Sequence, residues 1–129
     1  MTLHSITSSS APAPVGPYSQ AIVSGDLLFC SGQIGLDPTT STLVAGGIDA
    51  EATQVLSNLK AVLEAAGCTC AAVIKTEIFM TNIEDFGKVN EIYGTFFSTD
   101  PAPARQTIGV AALPKGAVIE ISCIAQLHP

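Results

Sequence analysis

The chain has 129 residues, of which 47% are hydrophobic and only 12% charged, with eleven acidic against five basic side chains and a net charge of −6. That length fits a single domain spanning 1–129. The acidic balance excludes the basic stripe with which proteins grip a phosphate backbone and disfavours an anionic membrane surface, so neither nucleic acid nor membrane is expected as a partner. No apolar run approaches the ~20 residues of a membrane span. The excess apolar surface therefore needs another cover, and a subunit interface is the expected one.

In chain order, a short edge strand is expected near Leu3–Thr7, followed by an irregular segment rich in Ser, Ala and Pro. Two apolar runs, 18–23 and 27–31, flank Ser24-Gly25-Asp26 and read as a hairpin, since Gly-Asp suits a tight turn. Asp37-Pro38 and Gly46-Gly47 punctuate a loop. Val55, Leu56, Leu59, Val62, Leu63 and Ala66 then recur at helical spacing, which predicts a helix over 48–66 that stops at Gly67. The segment 71–81 alternates instead, with Ile74, Thr76, Ile78 and Met80 on one face of a strand and Val73, Lys75, Glu77 and Phe79 on the other. Asn82-Ile83-Glu84-Asp85 resembles a capping box opening a second helix, whose apolar stripe is Phe86, Val89, Tyr93, Phe96 and Phe97. Two final strands, 105–112 and 117–127, are joined by Leu113-Pro114-Lys115-Gly116.

The resulting order, β-β-β-α-β-α-β-β, is that of an α+β domain with two helices on one face of a sheet. The apolar side of the last strand (Ile119, Ile121, Cys123, Ala125, Leu127) should meet those helices. Its other side, which carries Glu120, is too apolar to stay wet and too polar for a dry core. A face of that kind suits a partly hydrated seam with another subunit.

Four cysteines are present, but the N-terminus lacks the basic start and apolar core of a secretory signal. Reduced thiols and a cytoplasmic location are the expectation. Cys68-Thr69-Cys70 has no second cysteine pair, and both histidines, His4 and His128, lie at the chain ends, so no metal site is expected. Glycine-rich nucleotide loops, H-E-x-x-H and G-x-S-x-G are absent, which leaves nucleotide, metalloprotease and acyl-enzyme chemistry without support.

Against that background one residue stands apart. Arg105 is the only arginine; the other four basic residues are lysines. Its planar fork matches a carboxylate in two places at once, as an ammonium does not. The other polar groups in special contexts are Tyr18 after Gly16-Pro17, Ser31-Gly32-Gln33 at a strand end, Asn90 on the second helix, and Glu120. From the pattern alone each also fits a structural or solvated role.

The segments APAPVGPYSQA, CSGQIGLDP, NLKAVLEAAGC, VIKTEIFMTNIEDF, VNEIYGTFF and PAPARQTIGVAALPKGAVIEISCIA run in order from Ala11 to Ala125. In this combination the chain closely resembles the reactive-intermediate imine deaminases, the YjgF-like RidA family. The resemblance implies a chorismate-mutase-like α+β fold, a mixed β-sheet with two helices on one face, assembled as a homotrimeric barrel with three sites in clefts between subunits. It implies hydrolysis of 2-imino acids such as 2-iminopropanoate and 2-iminobutanoate to 2-oxo acids and ammonia, without a cofactor.

Carried over position by position, Arg105 corresponds to the arginine that binds the substrate carboxylate, and Glu120 to the acid that holds or activates water. Tyr18, Ser31 and Asn90 correspond to cleft residues, and Gly32 to a glycine that lets backbone approach the ligand. Thr107 stands where many bacterial members have cysteine. Two other functions use the same residues: a non-enzymatic small-carboxylate binder or chaperone, and an endoribonuclease, which the acidic composition disfavours.

Overall fold

A computed structural model describes residues 2–127; His128 lies outside the described residues. Six strands and two helices follow one another as β1 (His4–Ile6), β2 (Ala21–Ser24), β3 (Leu27–Gln33), α1 (Gly47–Ala65), β4 (Val73–Met80), α2 (Phe86–Phe96), β5 (Ala104–Gly109) and β6 (Ile119–Gln126). The strands form one sheet in the order β1-β2-β3-β6-β4-β5. All neighbours are antiparallel except β4 and β5, which are parallel because α2 carries the chain back across the sheet between them.

The hairpin forms, with its first strand running from Ala21 to Ser24 where residues 18–23 had been expected. Ser24 pairs with Leu27, leaving Gly25-Asp26 as a two-residue turn in which Gly25 takes φ 60°, a conformation that favours glycine. Gly67, with φ 80°, ends α1. There the Cys68 N–H reaches back to the Leu63 carbonyl at 2.8 Å and the Gly67 N–H to the Glu64 carbonyl at 3.0 Å, so the last turn's carbonyls are satisfied.

The core lies between the sheet and the helices. Val55, Leu56, Leu59, Val62 and Leu63 of α1 meet Ile119, Ile121, Cys123 and Ala125 of β6, with Leu28 and Cys30 of β3 alongside. The predicted apolar side of β6 is thus the covered side. Cys30 faces Cys123 across the sheet, and all four thiols are free. The Cys123 thiol is held protonated by its hydrogen bond to Cys30 and by burial.

Four expectations need correction. A register shift between Val73 and Lys75 turns Val73 inward and leaves Ile74 exposed, so the predicted alternation holds only from Thr76 onward. Asn82 accepts the Glu84 N–H at 3.1 Å and so caps a short 3-10 turn, Ile83–Asp85, from which α2 continues without a side-chain cap of its own. Strand β5 ends at Gly109, because the Val110 N–H turns to the Met80 carbonyl at 2.8 Å. The following 3-10 turn, Pro114–Gly116, delays β6 to Ile119.

The uncovered sheet face carries cross-strand rows. Ile22, Phe29, Ile124 and Lys75 form one row, Ser122, Glu77 and Gln106 a second, and Glu120, Phe79 and Ile108 a third. Phe29 is 43% exposed and Ile108 44%. This is the mixed face read from the sequence, polar in its middle and apolar on both sides.

Candidate active site

The first cluster of candidate residues grows from a break in β3. Its pairing with β6 runs to Cys30↔Cys123 and resumes at Gln33↔Ile121, so Ser31 and Gly32 form a bulge. Strand β3 therefore continues through Ser31, where the sequence reading ended it. The Ser31 hydroxyl donates to the Ser19 carbonyl at 2.6 Å, and its N–H to the Gln20 carbonyl at 2.9 Å. A Cβ on Gly32 would stand 2.8 Å from both Cδ and Oε2 of Glu120. The missing side chain thus leaves room for the Glu120 carboxyl.

Glu120 and the bulge face a cavity of about 510 Å³. Its roof is the N-terminal segment, held by the buried Gln20 amide. The Gln20 Oε1 accepts the Ser8 N–H at 2.6 Å, while Nε2 donates to the carbonyls of Ser8 at 3.2 Å and Pro12 at 2.8 Å. Tyr18 lines the same cavity, half-exposed, its hydroxyl accepting the Val15 N–H at 3.3 Å. Leu36, Pro114 and Lys115 also line it. Removal from water pushes the Glu120 carboxyl above the ordinary carboxylate range.

The second cluster lies on β5. Arg105 pairs with Thr76 and Thr107 with Ile78, and both partners are buried, so these two side chains belong to the helix-covered face. The guanidinium carbon sits 4.9 Å from the centre of the Tyr93 ring and 5.3 Å from that of Phe86, an arrangement attractive to a cation. Tyr93 is itself fixed by a 2.8 Å hydrogen bond between its hydroxyl and that of Thr76. Burial raises the Tyr93 hydroxyl pKa and keeps the ring neutral. Asn90 lies four residues after Phe86 and three before Tyr93, on the same face of α2. Among the described residues no carboxylate pairs with the Arg105 fork, and the buried Thr107 hydroxyl has no hydrogen-bond partner.

The two clusters do not meet within one chain. Glu120 pairs with Phe79, and Phe79 with Ile108, three residues beyond Arg105 on a strand two places away. At ~4.8 Å per strand and ~3.3 Å per residue the offset is roughly 10 Å in each direction, with the sheet itself between them. Tyr18, Ser31, Gly32 and Glu120 are thus brought together on one side, and Asn90, Arg105 and Thr107 on the other.

Sequence reasoning missed three contributors to the first cluster. Gln20 ties down the roof and Lys115 lines the cavity. Glu51 is buried in α1 and accepts the Val118 N–H at 2.9 Å, fixing the chain two residues before Glu120. Gly35 leaves room for it: a Cβ there would come within 3.0 Å of the Glu51 Cα. Of these, only Lys115 carried a visible signal, its place beside Pro114 and Gly116.

This arrangement has relatives. The model of a family described as endoribonuclease L-PSP matches residues 8–127. The chain belongs to this family, the YjgF/RidA family. The 2-iminobutanoate/2-iminopropanoate deaminase of Rattus norvegicus is 50% identical over 124 residues, 96% of this chain and 90% of that one. A RutC family protein of Synechocystis sp. is 49% identical over 128 residues, 98% of each chain. Among solved structures, the Rid family protein YyfA of Yersinia pestis, itself described as of unknown function, superposes with a TM-score of 0.94 at 46% identity, covering 97% of this chain and 99% of that one. The six-stranded mixed sheet with two helices is thus the YjgF/RidA fold. No helix is long and apolar enough to cross a membrane, and among the described residues no group of His, Cys, Asp and Glu is placed to hold a metal ion.

Proposed function

We propose that this YjgF/RidA protein hydrolyses 2-imino acids such as 2-iminobutanoate and 2-iminopropanoate to 2-oxo acids and ammonia. It does so as a homotrimer in which each site joins the Glu120 cluster of one copy to the Arg105 cluster of the next. The observation that carries this reading is the division itself: a cation without a carboxylate partner and an acid in a cavity, on opposite faces of one sheet. A neighbour docked on the mixed open face supplies what each half lacks, and covers Phe29 and Ile108. The rat relative's name supports the substrate class.

The chemistry follows from the residues. The substrate carboxylate is held by the Arg105 fork, an interaction worth roughly 1.5–3 kcal/mol per charge-assisted hydrogen bond. Asn90, on the helix face that carries Phe86 and Tyr93, and Thr107, two residues along β5 from Arg105, are the further residues proposed to line the carboxylate's surroundings. Glu120 takes a proton from a water molecule as its oxygen bonds to the imine carbon. It returns the proton to nitrogen, and the tetrahedral adduct collapses to the 2-oxo acid and ammonia. A carboxyl with a raised pKa suits a group that must both accept and return a proton. Tyr18 and Ser31 line the cleft beside it. These steps need no cofactor. An amino-acid oxidase generating imine in the presence of the protein tests the proposal: 2-oxo acid release should accelerate with protein concentration, and an unchanged rate would refute it.

A further inference from the structure

Phe86 and Tyr93 lie two turns apart on one face of α2, roughly 10 Å along its axis at 1.5 Å per residue. The Arg105 guanidinium carbon is nearly equidistant from their ring centres, at 5.3 and 4.9 Å. The two rings are held differently. Tyr93 is buried and packs beside the buried Phe97, with ring centres 4.6 Å apart. Its hydroxyl bonds that of Thr76, a fully buried side chain, at 2.8 Å. Phe86 is 38% exposed and has no polar group by which to be tied.

Thr76 is also the residue that pairs with Arg105 across the parallel β4–β5 ladder. Three links therefore close a loop: strand register from Arg105 to Thr76, a hydroxyl pair from Thr76 to Tyr93, and a ring face from Tyr93 back to the guanidinium. Each link lies within one chain, so the arrangement does not wait for a neighbouring copy. An arginine side chain has much rotamer freedom, and a fork that wanders presents its donors only part of the time. Apparent affinity falls by the fraction of time that the binding geometry is held. An aromatic face raises that fraction without supplying the oxygen acceptors that would occupy the donors, as a carboxylate would.

We infer that Tyr93, tethered by Thr76, is the positioning residue that fixes the Arg105 fork before the substrate carboxylate arrives. The inference rests on the proposal that Arg105 takes that carboxylate, and the test separates the two. Arg105 is the only arginine, so its Nε–H gives the one arginine side-chain signal in a proton–nitrogen correlation spectrum and reports on the fork directly. In wild type that signal should lie away from the position of a free arginine, because of the ring faces, and should shift again when 2-oxobutanoate binds.

Tyr93→Met fills the core position without a ring face. It should return the signal toward the free value and weaken 2-oxobutanoate binding about five- to thirtyfold, the worth of a cation–π contact from partly exposed to desolvated. Tyr93→Phe keeps the face and loses only the tether, so it should fall between Tyr93→Met and wild type. A lower Tm for Tyr93→Met with unchanged signal and affinity would reduce Tyr93 to packing. Binding by Tyr93→Phe as weak as that by Tyr93→Met would overturn the role of the ring face. Should Tyr93→Met fail to fold, a wild-type signal already at the free position overturns the inference without any variant. In each of these cases Arg105→Ala still loses 2-oxobutanoate; if it binds as wild type does, the carboxylate reading itself fails.

Discussion

The two halves of the candidate site are built by different means. The Glu120 half depends on irregular backbone: a bulge at Ser31-Gly32, a missing Cβ, a strap tied by Gln20 and a turn at Lys115. The Arg105 half depends on regular structure, with a strand position beside Thr76 and two rings of one helix face holding the cation. An acid that moves a proton needs partial removal from water, and a cavity shaped by backbone provides it. A cation that orients a carboxylate needs its planar fork fixed, and aromatic faces fix it while leaving its donors free. Each half therefore has its own weak point.

The largest effect is expected at the acid. Glu120→Gln is nearly isosteric but cannot accept a proton, so imine hydrolysis should fall by about 10²–10⁴-fold while 2-oxobutanoate still binds. Wild-type turnover by this variant would reduce Glu120 to a positioning residue. Next comes the glycine. Gly32→Ala would press a methyl group to 2.8 Å from the Glu120 carboxyl, forcing it to move. Displacement of a catalytic group by about 1 Å costs on the order of 10²-fold, so kcat should drop while circular dichroism of the sheet is retained. An active Gly32→Ala protein would show that the carboxyl position is not critical.

The Arg105 half should respond to shape more than to charge. Arg105→Lys keeps the charge and loses the fork, and affinity for 2-oxobutanoate should fall about ten- to a hundredfold. Equal affinities by calorimetry would return Arg105 to a structural role. The smallest effect concerns stability. The folded protein raises the Glu120 pKa above 4.5, so it binds that proton more tightly than the unfolded chain does. That contribution is present below the unfolded value and is lost as pH rises through the folded one. Glu120→Gln should therefore have a higher Tm than wild type at pH 7, and the difference should vanish near pH 4. A gap of opposite sign at pH 7 would contradict the burial argument.

The same contrast explains what could be read from the sequence. Helical spacing from Val55 to Leu63 and the alternation from Ile119 to Ala125 are local patterns, and both map onto the covered side of the sheet. Gly67 marked its helix end because only a left-handed residue closes that turn without strain. The bulge was hidden, since Ser31-Gly32 reads as the end of a strand unless the position of Glu120 on β6 is known. Gln20 gave no signal either, because its three hydrogen bonds go to backbone eight and twelve residues away. Arg105 stood out as the only arginine and Glu120 by its place on the mixed side of the last strand, while the family resemblance supplied the role of each. Their placement on opposite faces depends on strand order, which periodicity does not encode.

The central claim, that one site needs two copies, is tested most directly by complementation. Arg105→Ala and Glu120→Gln, each inactive alone, are co-expressed so that mixed trimers assemble. A site is whole when its acid comes from an Arg105→Ala copy and its arginine from a Glu120→Gln copy, a chance of one half for each. Random assembly should therefore restore about a quarter of wild-type hydrolysis per site. Mixed trimers with no activity beyond that of the two single variants would contradict a shared site.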